Sequence, residues 1–173
     1  LAQDTRQTVQ LGILFGYKVL YIDQVRTTAA TDIYIEPTGT PFEVNISAGG
    51  KVMVANLPQE RKDDFLKHAD FASPTDHTIA DRDAFQKEVE KVAEVGYATD
   101  DQEFAIGIRC IAAPVFDANG SCVASVGITG HISKISDEAM PDLIERTRRA
   151  AATISSSLGY VTPESPPQQA VSS

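Results

Sequence analysis

Two long runs of mostly apolar and β-branched residues predict two long strands in the second half of the chain. The first covers residues 107–116 and the second residues 121–132, and both are rich in Ile, Val and Ala. Between them lies the sequence Asp-Ala-Asn-Gly at 117–120, and an Asn-Gly pair is the strongest short signal for a β-hairpin. Because apolar residues occupy both faces of these strands, we expect the hairpin at the centre of a sheet.

Two registers of this hairpin are open from the sequence. If Asn119 and Gly120 form a two-residue loop, Cys110 lies opposite Thr129, whereas a loop of Ala118 and Asn119 places Cys110 opposite Gly127. Side chains alternate along a strand, so both registers put the same residues on one face. That face consists of Ile108, Cys110, Ala112, Ser125, Gly127 and Thr129.

This face carries a thiol, hydroxyls and a glycine where a packed core favours large apolar groups. A glycine inside a strand often marks the close approach of a ligand or of another backbone. The face is therefore a candidate binding site. A face of small residues covered closely by a helix is the alternative.

Shorter patterns predict the remaining elements. We expect the end of a polar helix at residues 1–9, a hairpin within residues 11–25, a strand at 32–36 and an extended segment at 42–46. Helix starts are expected at Ser47, Pro58, Asp81 and Ser136, and helix ends at Gly96 and Gly159. This order of elements predicts an α+β fold, in which helices cover the faces of an antiparallel sheet.

The helix that begins at Ser47 has two glycines, Gly49 and Gly50, in its first turn. Each costs about 1 kcal/mol relative to alanine in a helix. Glycines at this place allow a ligand to approach the free N–H groups of the helix N-terminus, which attract anions such as carboxylates. They also allow tight packing of the helix on a sheet, and the sequence leaves both explanations open.

Composition narrows the classes of function. The chain has 173 residues, a formal net charge of −9 and 42% hydrophobic residues, which fits one globular domain and argues against direct contact with nucleic acid or anionic membranes. Cys110 and Cys122 fall on opposite faces of the hairpin, so we expect free thiols and a cytoplasmic protein. The three histidines are scattered, and we expect no metal site and no cofactor. No secretory or membrane-spanning segment is expected.

Several longer motifs together resemble the effector-binding domain of IclR-type transcriptional regulators. They are YIDQV at 21–25, SAGGKVMVANLP at 47–58, EVGYATDDQEFAIGIRCIAAPVFDANG at 94–120 and SSSLG at 155–159. The resemblance implies a GAF-like fold, a homodimer or tetramer and a small carboxylate effector. It also implies that DNA is bound only through a winged helix-turn-helix domain upstream, absent from this chain, which begins with Leu1. Residues 1–10 would then end a linker helix, residues 11–160 form the domain, and residues 161–173 form a disordered tail.

The family pocket carries over to named positions in this sequence. The resemblance assigns effector binding to Ala48, Gly49, Asp100, Ile108, Cys110, Gly127 and Thr129. His131 replaces the usual proline after the second strand and is added as a residue at the rim. Gly127 lacks a hydroxyl that carboxylate-sensing members have, and the missing side chain is expected to add room to the pocket. We therefore expect an aromatic or longer-chain acid rather than one of pyruvate size.

Four other functions are weighed against a sensor of small acids. Cys110 could serve as a nucleophile assisted by His131 or Asp100, but no histidine lies opposite it in either register, and a nucleophile needs a base within hydrogen-bonding reach. The domain could act only in oligomerisation, or bind a nucleotide or chromophore, or respond to oxidation of Cys110. Ligand identity, operator and the choice between repression and activation stay open.

Overall fold

The computed structural model describes residues 1–28, 33 and 35–161 of the chain. Its strands are β1 (Thr8–Phe15), β2 (Lys18–Val25), β3 (Pro41–Glu43), β4 (Ala98–Asp101), β5 (Ile108–Phe116) and β6 (Cys122–His131). Its α-helices are α1 (Ala2–Thr5), α2 (Ala48–Ala55), α3 (Gln59–His68), α4 (Arg82–Val95) and α5 (Met140–Ser157). The strands form one six-stranded sheet in the order β3-β2-β1-β6-β5-β4, with every pair antiparallel. The predicted α+β class is confirmed.

Each face of the sheet is covered by helices. On one face α2 and α4 form a core with the sheet around Val52, Phe85 and Val89. On the other face α5 packs against β5 and β6 through Leu143 and Ala151. The sheet is therefore a single layer with a packed core on each side, in agreement with the apolar residues on both faces of the central hairpin.

The register of the central hairpin is the first of the two predicted. Cys110 lies opposite Thr129, and this spacing holds as far as Val115 opposite Ala124. The turn itself is longer than two residues, since Phe116 pairs with Cys122 and the register shifts between Val115 and Phe116. A β-bulge takes up the extra residue. The strands therefore pair in the register that a two-residue loop predicts, although the loop itself is longer.

Several boundaries differ from the sequence-based expectation. The N-terminal helix ends at Thr5, because Arg6 adopts a left-handed conformation with φ of 57°, and β1 begins three residues later. The sheet thus begins before residue 11. The long C-terminal helix begins at Met140 rather than Ser136; before it, the Ser136 carbonyl accepts the N–H groups of Ala139 and Met140 in a turn.

The segment between β2 and α2 also differs. Of the strand expected at 32–36, only residues 33, 35 and 36 are described, and none of them is in a strand. The extended segment at 42–46 divides into β3 and a 3-10 helix, Val44–Ile46. β4 was not expected from the sequence. Of the predicted tail, 161–173, all but Val161 lies outside the described residues.

Candidate functional site

A cavity lies on the α2 face of the sheet, where β1, β6, β5 and β4 run side by side. We call it the outer chamber, and its empty volume, open mouth included, is about 440 Å³. Its lining residues are Gln10, Tyr21, Ile35, Glu36, Phe42, Ile46, Ser47, Asp100, Phe104, Ile108, Cys110 and Thr129. Most of the wall is apolar, and a few polar groups converge on the floor, as in pockets for small molecules.

The polar groups of the floor form a hydrogen-bonded row across four adjacent strands. Thr129 Oγ1 donates to Gln10 Oε1 at 2.9 Å and lies 3.4 Å from Cys110 Sγ. The Cys110 thiol in turn donates to Asp100 Oδ2 at 3.4 Å. This polar row of Gln10, Thr129, Cys110 and Asp100 arises because alternate residues of each strand point to the same face.

Burial changes the acid–base properties of this row. Loss of hydration raises the pKa of Asp100 above its ordinary value, while backbone N–H groups of Glu103 and Phe104 and the nearby Lys51 charge oppose the rise. Burial, together with the Asp100 charge, raises the pKa of the Cys110 thiol well above its usual value. A neutral thiol is a poor nucleophile, so the floor suits binding rather than covalent chemistry.

A buried ion pair supports the loop that carries Phe104. Lys51, on α2, is 0% exposed, and its Nζ lies 2.8 and 2.7 Å from the two carboxylate oxygens of Glu103. Glu88 on α4 lies 3.8 Å from the same nitrogen. Burial raises the pKa of Glu103 to about 7, and Lys51 opposes that rise. Through these contacts Lys51 holds the connection between β4 and β5 next to α2 and α4.

A smaller cavity adjoins the outer chamber beneath the first turn of α2. This inner chamber has an empty volume of about 200 Å³. It shares Gln10, Tyr21, Cys110 and Thr129 with the outer chamber, and its other lining residues are Ala48, Gly49, Ile111, Ala112, Ser125, Gly127 and Ile128. The helix N-terminus and the central hairpin therefore meet at one site.

The first turn of α2 is capped at this site by two side chains. Ser47 Oγ accepts the Gly50 N–H at 3.1 Å, which confirms Ser47 as the N-cap. Tyr21 Oη lies 2.7 Å from Ser47 Oγ. Burial raises the pKa of the Tyr21 phenol, and hydrogen bonds from Ser47 and from the Gly49 backbone oppose the rise. The phenol is therefore a neutral hydrogen-bonding group at the helix N-terminus.

Seven of the eight sequence-predicted site residues line one of the two chambers. Asp100, Ile108, Cys110 and Thr129 line the outer chamber, and Ala48, Gly49 and Gly127 line the inner one. His131 lines neither. It is exposed at the end of β6, opposite Ile108, and its Nδ1 lies 2.9 Å from Ser133 Oγ.

The expected role of Gly127 needs correction. A Cβ at this position would lie 2.7 Å from the backbone oxygen of Ile111 and 3.1 Å from the Cβ of Ala112. Glycine here permits close approach to β5 rather than enlarging the cavity. The room for a ligand comes instead from the outer chamber, which is lined by Phe42 on β3 and by Phe104 in the connection between β4 and β5.

Several lining residues were missed from the sequence. Gln10 and Tyr21 reach the site because β1 pairs with β6, a pairing that local patterns do not predict. Phe42 and Phe104 face each other in an edge arrangement, with ring centroids 5.5 Å apart, and Tyr21 contacts Phe42 at 5.7 Å. Of these residues, only Tyr21 could have been found from the sequence, because it lies inside one of the motifs that resemble the family.

Two further observations concern the described residues only. Among them, no group of three or more His, Cys, Asp or Glu side chains is placed to hold a metal ion. A search of the same residues finds no helix long and apolar enough to cross a membrane.

Comparison with known proteins gives consistent matches over most of the chain. Residues 1–156 match the family described as bacterial transcriptional regulator IclR, C-terminal. The HTH-type transcriptional regulator XynR of Escherichia coli is 30% identical over 160 residues, which is 92% of this chain and 63% of XynR. The chain thus spans less than two thirds of that relative.

Solved structures share the fold. The crystal structure of the Thermotoga maritima IclR superposes with a TM-score of 0.85 and 32% identity, covering 91% of this chain and 64% of that one. The C-terminal domain of E. coli KdgR superposes with a TM-score of 0.82 and 28% identity, covering 92% of both chains.

Proposed function

The chain belongs to the C-terminal domain family of the IclR bacterial transcriptional regulators, and from that premise we propose that its two chambers bind a small organic acid that controls DNA binding. Family members are regulators rather than enzymes. The DNA would be bound in the cytoplasm by a helix-turn-helix domain that precedes this one, and the acid would report on a catabolic substrate.

The observation that carries the proposal is the polar row at the floor of an otherwise apolar cavity. Four polar side chains converge there, and three hydrogen bonds link all four of them in a row. The N-terminus of α2 opens onto the same space, and helix N-termini attract carboxylates through their N–H groups and dipole. A small molecule with polar ends and an apolar body fits this arrangement.

The apolar wall of the outer chamber favours an aromatic or extended acid as the ligand. Phe42, Phe104 and Tyr21 present ring edges and faces to one another, and such surfaces favour a planar apolar body. A pyruvate-sized acid leaves most of this apolar wall without a partner. Larger acids therefore gain more from burial, at about 25 cal/mol per Å² of apolar surface.

A thermal-shift and calorimetry screen tests the proposal. The panel pairs each acid with its neutral amide and includes pyruvate, 6-hydroxyhexanoate, 4-hydroxyphenylacetate and 4-hydroxybenzoate. A ligand at one hundred times its Kd stabilises by about 2.7 kcal/mol, which raises Tm by roughly 5–10 °C in a domain of this size.

Variants of the polar row locate the binding. Thr129→Val and Cys110→Ala should each weaken the binding of an acid that stabilises the wild type, since each removes a polar contact of the floor. His131→Ala should leave binding unchanged, because His131 lines neither chamber. Equal stabilisation by pyruvate and by the larger acids would contradict the proposed size class.

Control of DNA binding is tested on the full-length protein. If the acid binds one conformation of the regulator more tightly, the affinity for DNA changes by no more than that difference in affinity. A DNA site selected by the full-length protein would be titrated with and without the acid. An unchanged affinity for DNA at saturating acid would refute the regulatory part of the proposal.

A specific observation also supports self-association as a homodimer or tetramer. Phe15, Ile22 and Val25 are 67%, 44% and 53% exposed and are spread along the β1–β2 hairpin from its turn to its far end. Large exposed apolar side chains along one hairpin are candidates for a protein interface. Sedimentation of the wild type and of Phe15→Ser with Ile22→Ser measures the effect. A monomer at all concentrations would contradict self-association through this domain.

A further inference from the structure

A cluster of charged side chains adjoins the floor of the outer chamber. The groups that face Glu103 are Lys51 from α2, Glu88 from α4 and Asp100 from β4. Lys51 Nζ lies 2.8 and 2.7 Å from the carboxylate oxygens of Glu103 and 3.8 Å from Glu88. Lys91 lies 3.6 Å from Glu88 but is 69% exposed, so water and salt screen its charge. One buried ammonium group therefore faces three carboxyl groups.

Asp100 joins this cluster to the ligand chambers. Its Oδ1 accepts the backbone N–H of Glu103 at 2.7 Å, and its Oδ2 accepts from Cys110 Sγ in the polar row at 3.4 Å. Asp100 lines the outer chamber, whereas Glu103 lines neither chamber. Cys110 stays neutral, because burial raises the pKa of its thiol. A charge that arrives at the polar row therefore acts on Glu103 through one intervening carboxyl group.

The chamber walls supply no side-chain cation to an ionised ligand. Among the described residues that line either chamber there is no Lys, Arg or His. The N-terminus of α2 supplies only a partial positive charge. An added negative charge in a poorly hydrated site raises the pKa of nearby carboxyl groups. Burial has already raised the pKa of Glu103 to about 7, so this carboxyl group exchanges its proton near neutral pH.

Protonation of Glu103 changes the field that Lys51 produces at the chambers. Lys51 is the fourth residue of α2, and the first turn of this helix borders the inner chamber through Ala48 and Gly49. While Glu103 is ionised, its negative charge offsets the ammonium charge of Lys51. Once Glu103 is neutral, the positive charge of Lys51 acts on Asp100 and on an acid in the chambers.

We propose that Glu103 is a proton-uptake site coupled to the effector: when an ionised acid occupies the chambers, a proton moves from the solvent to the Glu103 carboxylate. This inference rests on the proposed function and adds to it a residue outside both chambers and a dependence on pH. Because binding of the acid and of the proton favour each other, the affinity for the acid falls as the pH rises. The domain then reports the concentration of the acid and the acidity of the solution together.

Calorimetry in buffers of different ionisation enthalpy counts the protons that are taken up on binding. The probes are 4-hydroxybenzoate, 4-hydroxyphenylacetate and 6-hydroxyhexanoate, each beside its neutral primary amide. They are titrated at pH 6, 7 and 8 in phosphate and in imidazole, where the carboxyl groups of the acids are ionised.

Two variants locate the proton. Glu103→Gln keeps the shape of the protonated side chain but cannot take up a proton. The matched control is Glu88→Gln, which removes the other glutamate beside Lys51, at the longer distance of 3.8 Å. Thermal unfolding gives Tm of each protein and shows that it is folded.

We expect wild type to take up a fraction of a proton with each acid that binds and none with the amides. If the acid raises the pKa of Glu103 by one unit from about 7, the Kd is about fivefold higher at pH 8 than at pH 6. Glu103→Gln should take up no proton and should keep the low wild-type Kd of pH 6 at all three pH values. Glu88→Gln should retain both the uptake and the pH dependence. A purely structural role of Glu103 would change the Kd equally at every pH.

Each failure has its own signature. If an acid binds wild type without proton uptake, or with the same uptake as its amide, the inference fails while the proposed function stands; this comparison needs no variant. If Glu103→Gln still takes up the proton, or Glu88→Gln also loses the uptake, the proton does not belong to Glu103 and the inference fails. If no acid of the panel binds wild type, the proposed function and the inference fail together.

Discussion

Replacing Lys51 by methionine removes the ammonium group that faces Glu103 and Glu88 beneath the site. Lys51 is 0% exposed and lies 2.7 Å from the nearer oxygen of Glu103. Methionine keeps most of the side-chain volume but leaves Glu103 beside two other carboxyl groups, Glu88 and Asp100. Removing one partner of a buried ion pair costs about 3–5 kcal/mol, a large part of the 5–15 kcal/mol that is typical of a domain.

The loss of stability in Lys51→Met depends on pH. The pKa of Glu103 determines whether this loss grows or shrinks as the pH rises. Burial raises this pKa from 4.5 to about 7, so the contribution of Glu103 to stability is full below pH 4.5 and is lost as the pH rises through 7. Without Lys51 the pKa of Glu103 rises further, and ionisation near neutral pH costs more. The stability difference between wild type and Lys51→Met should therefore grow from pH 5 to pH 8.

Urea denaturation at pH 5, 6, 7 and 8 measures this difference. The matched control is Lys91→Met, since Lys91 also pairs with Glu88, at 3.6 Å, but is 69% exposed and should cost less than about 0.5 kcal/mol. The double variant Lys51→Met with Glu103→Met should regain most of the loss, because an apolar pair of similar volume replaces the ion pair.

Two results would refute this reasoning. One is a loss below about 1 kcal/mol for Lys51→Met at pH 8, where the buried pair should matter most. The other is an equal loss at pH 5 and pH 8, which would show that ionisation of Glu103 does not determine the cost.

Three further predictions concern single positions. Gly50→Ala should lower the free energy of unfolding by about 1–3 kcal/mol, because its Cβ would lie 2.7 Å from Val44 Cα; a gain of about 1 kcal/mol in urea denaturation, as helix propensity alone favours, would contradict this. Asp100→Asn should abolish any preference of the wild type for 4-hydroxybenzoate over benzoate in calorimetry, because Asp100 is the carboxyl group of the polar row and can accept a hydrogen bond from a ligand hydroxyl; a retained preference would show that the hydroxyl binds elsewhere. Cys110 should react with iodoacetamide at pH 8 far more slowly in the folded protein than in urea, because burial raises its pKa well above the usual value; equal rates by mass spectrometry would count against a buried neutral thiol.

The central hairpin shows which features of the structure can be predicted from local sequence patterns. Alternation along β5 and β6 placed Cys110 and Thr129 on one face, and the structure pairs them directly. Helix capping was equally accessible, since Ser47 and Asp81 both accept a backbone N–H of the first turn. These features depend on residues close together in the chain, for which spacing and side-chain chemistry are sufficient.

The rest of the site depends on contacts between distant residues. Gln10 reaches Thr129 across 119 positions of sequence, through a pairing of β1 with β6 that no alternation pattern specifies. Lys51 appears in the sequence as an ordinary polar residue of a helix, and its burial follows from Glu103, 52 residues away. His131 stays a prediction: it shares the strand face of Thr129, but it lies exposed at the end of β6 and lines neither chamber.

The single-layer sheet has a mechanical consequence. Along β6, Gly127 and Thr129 face the chambers, whereas Val126 and Ile128, 4% and 0% exposed, face α5. Packed interiors are nearly incompressible, so any widening of the chambers that moves β6 also shifts α5. Leu1 and Val9 belong to that same layer. A change in the width of the cavity therefore also changes the position of the first residues of the chain.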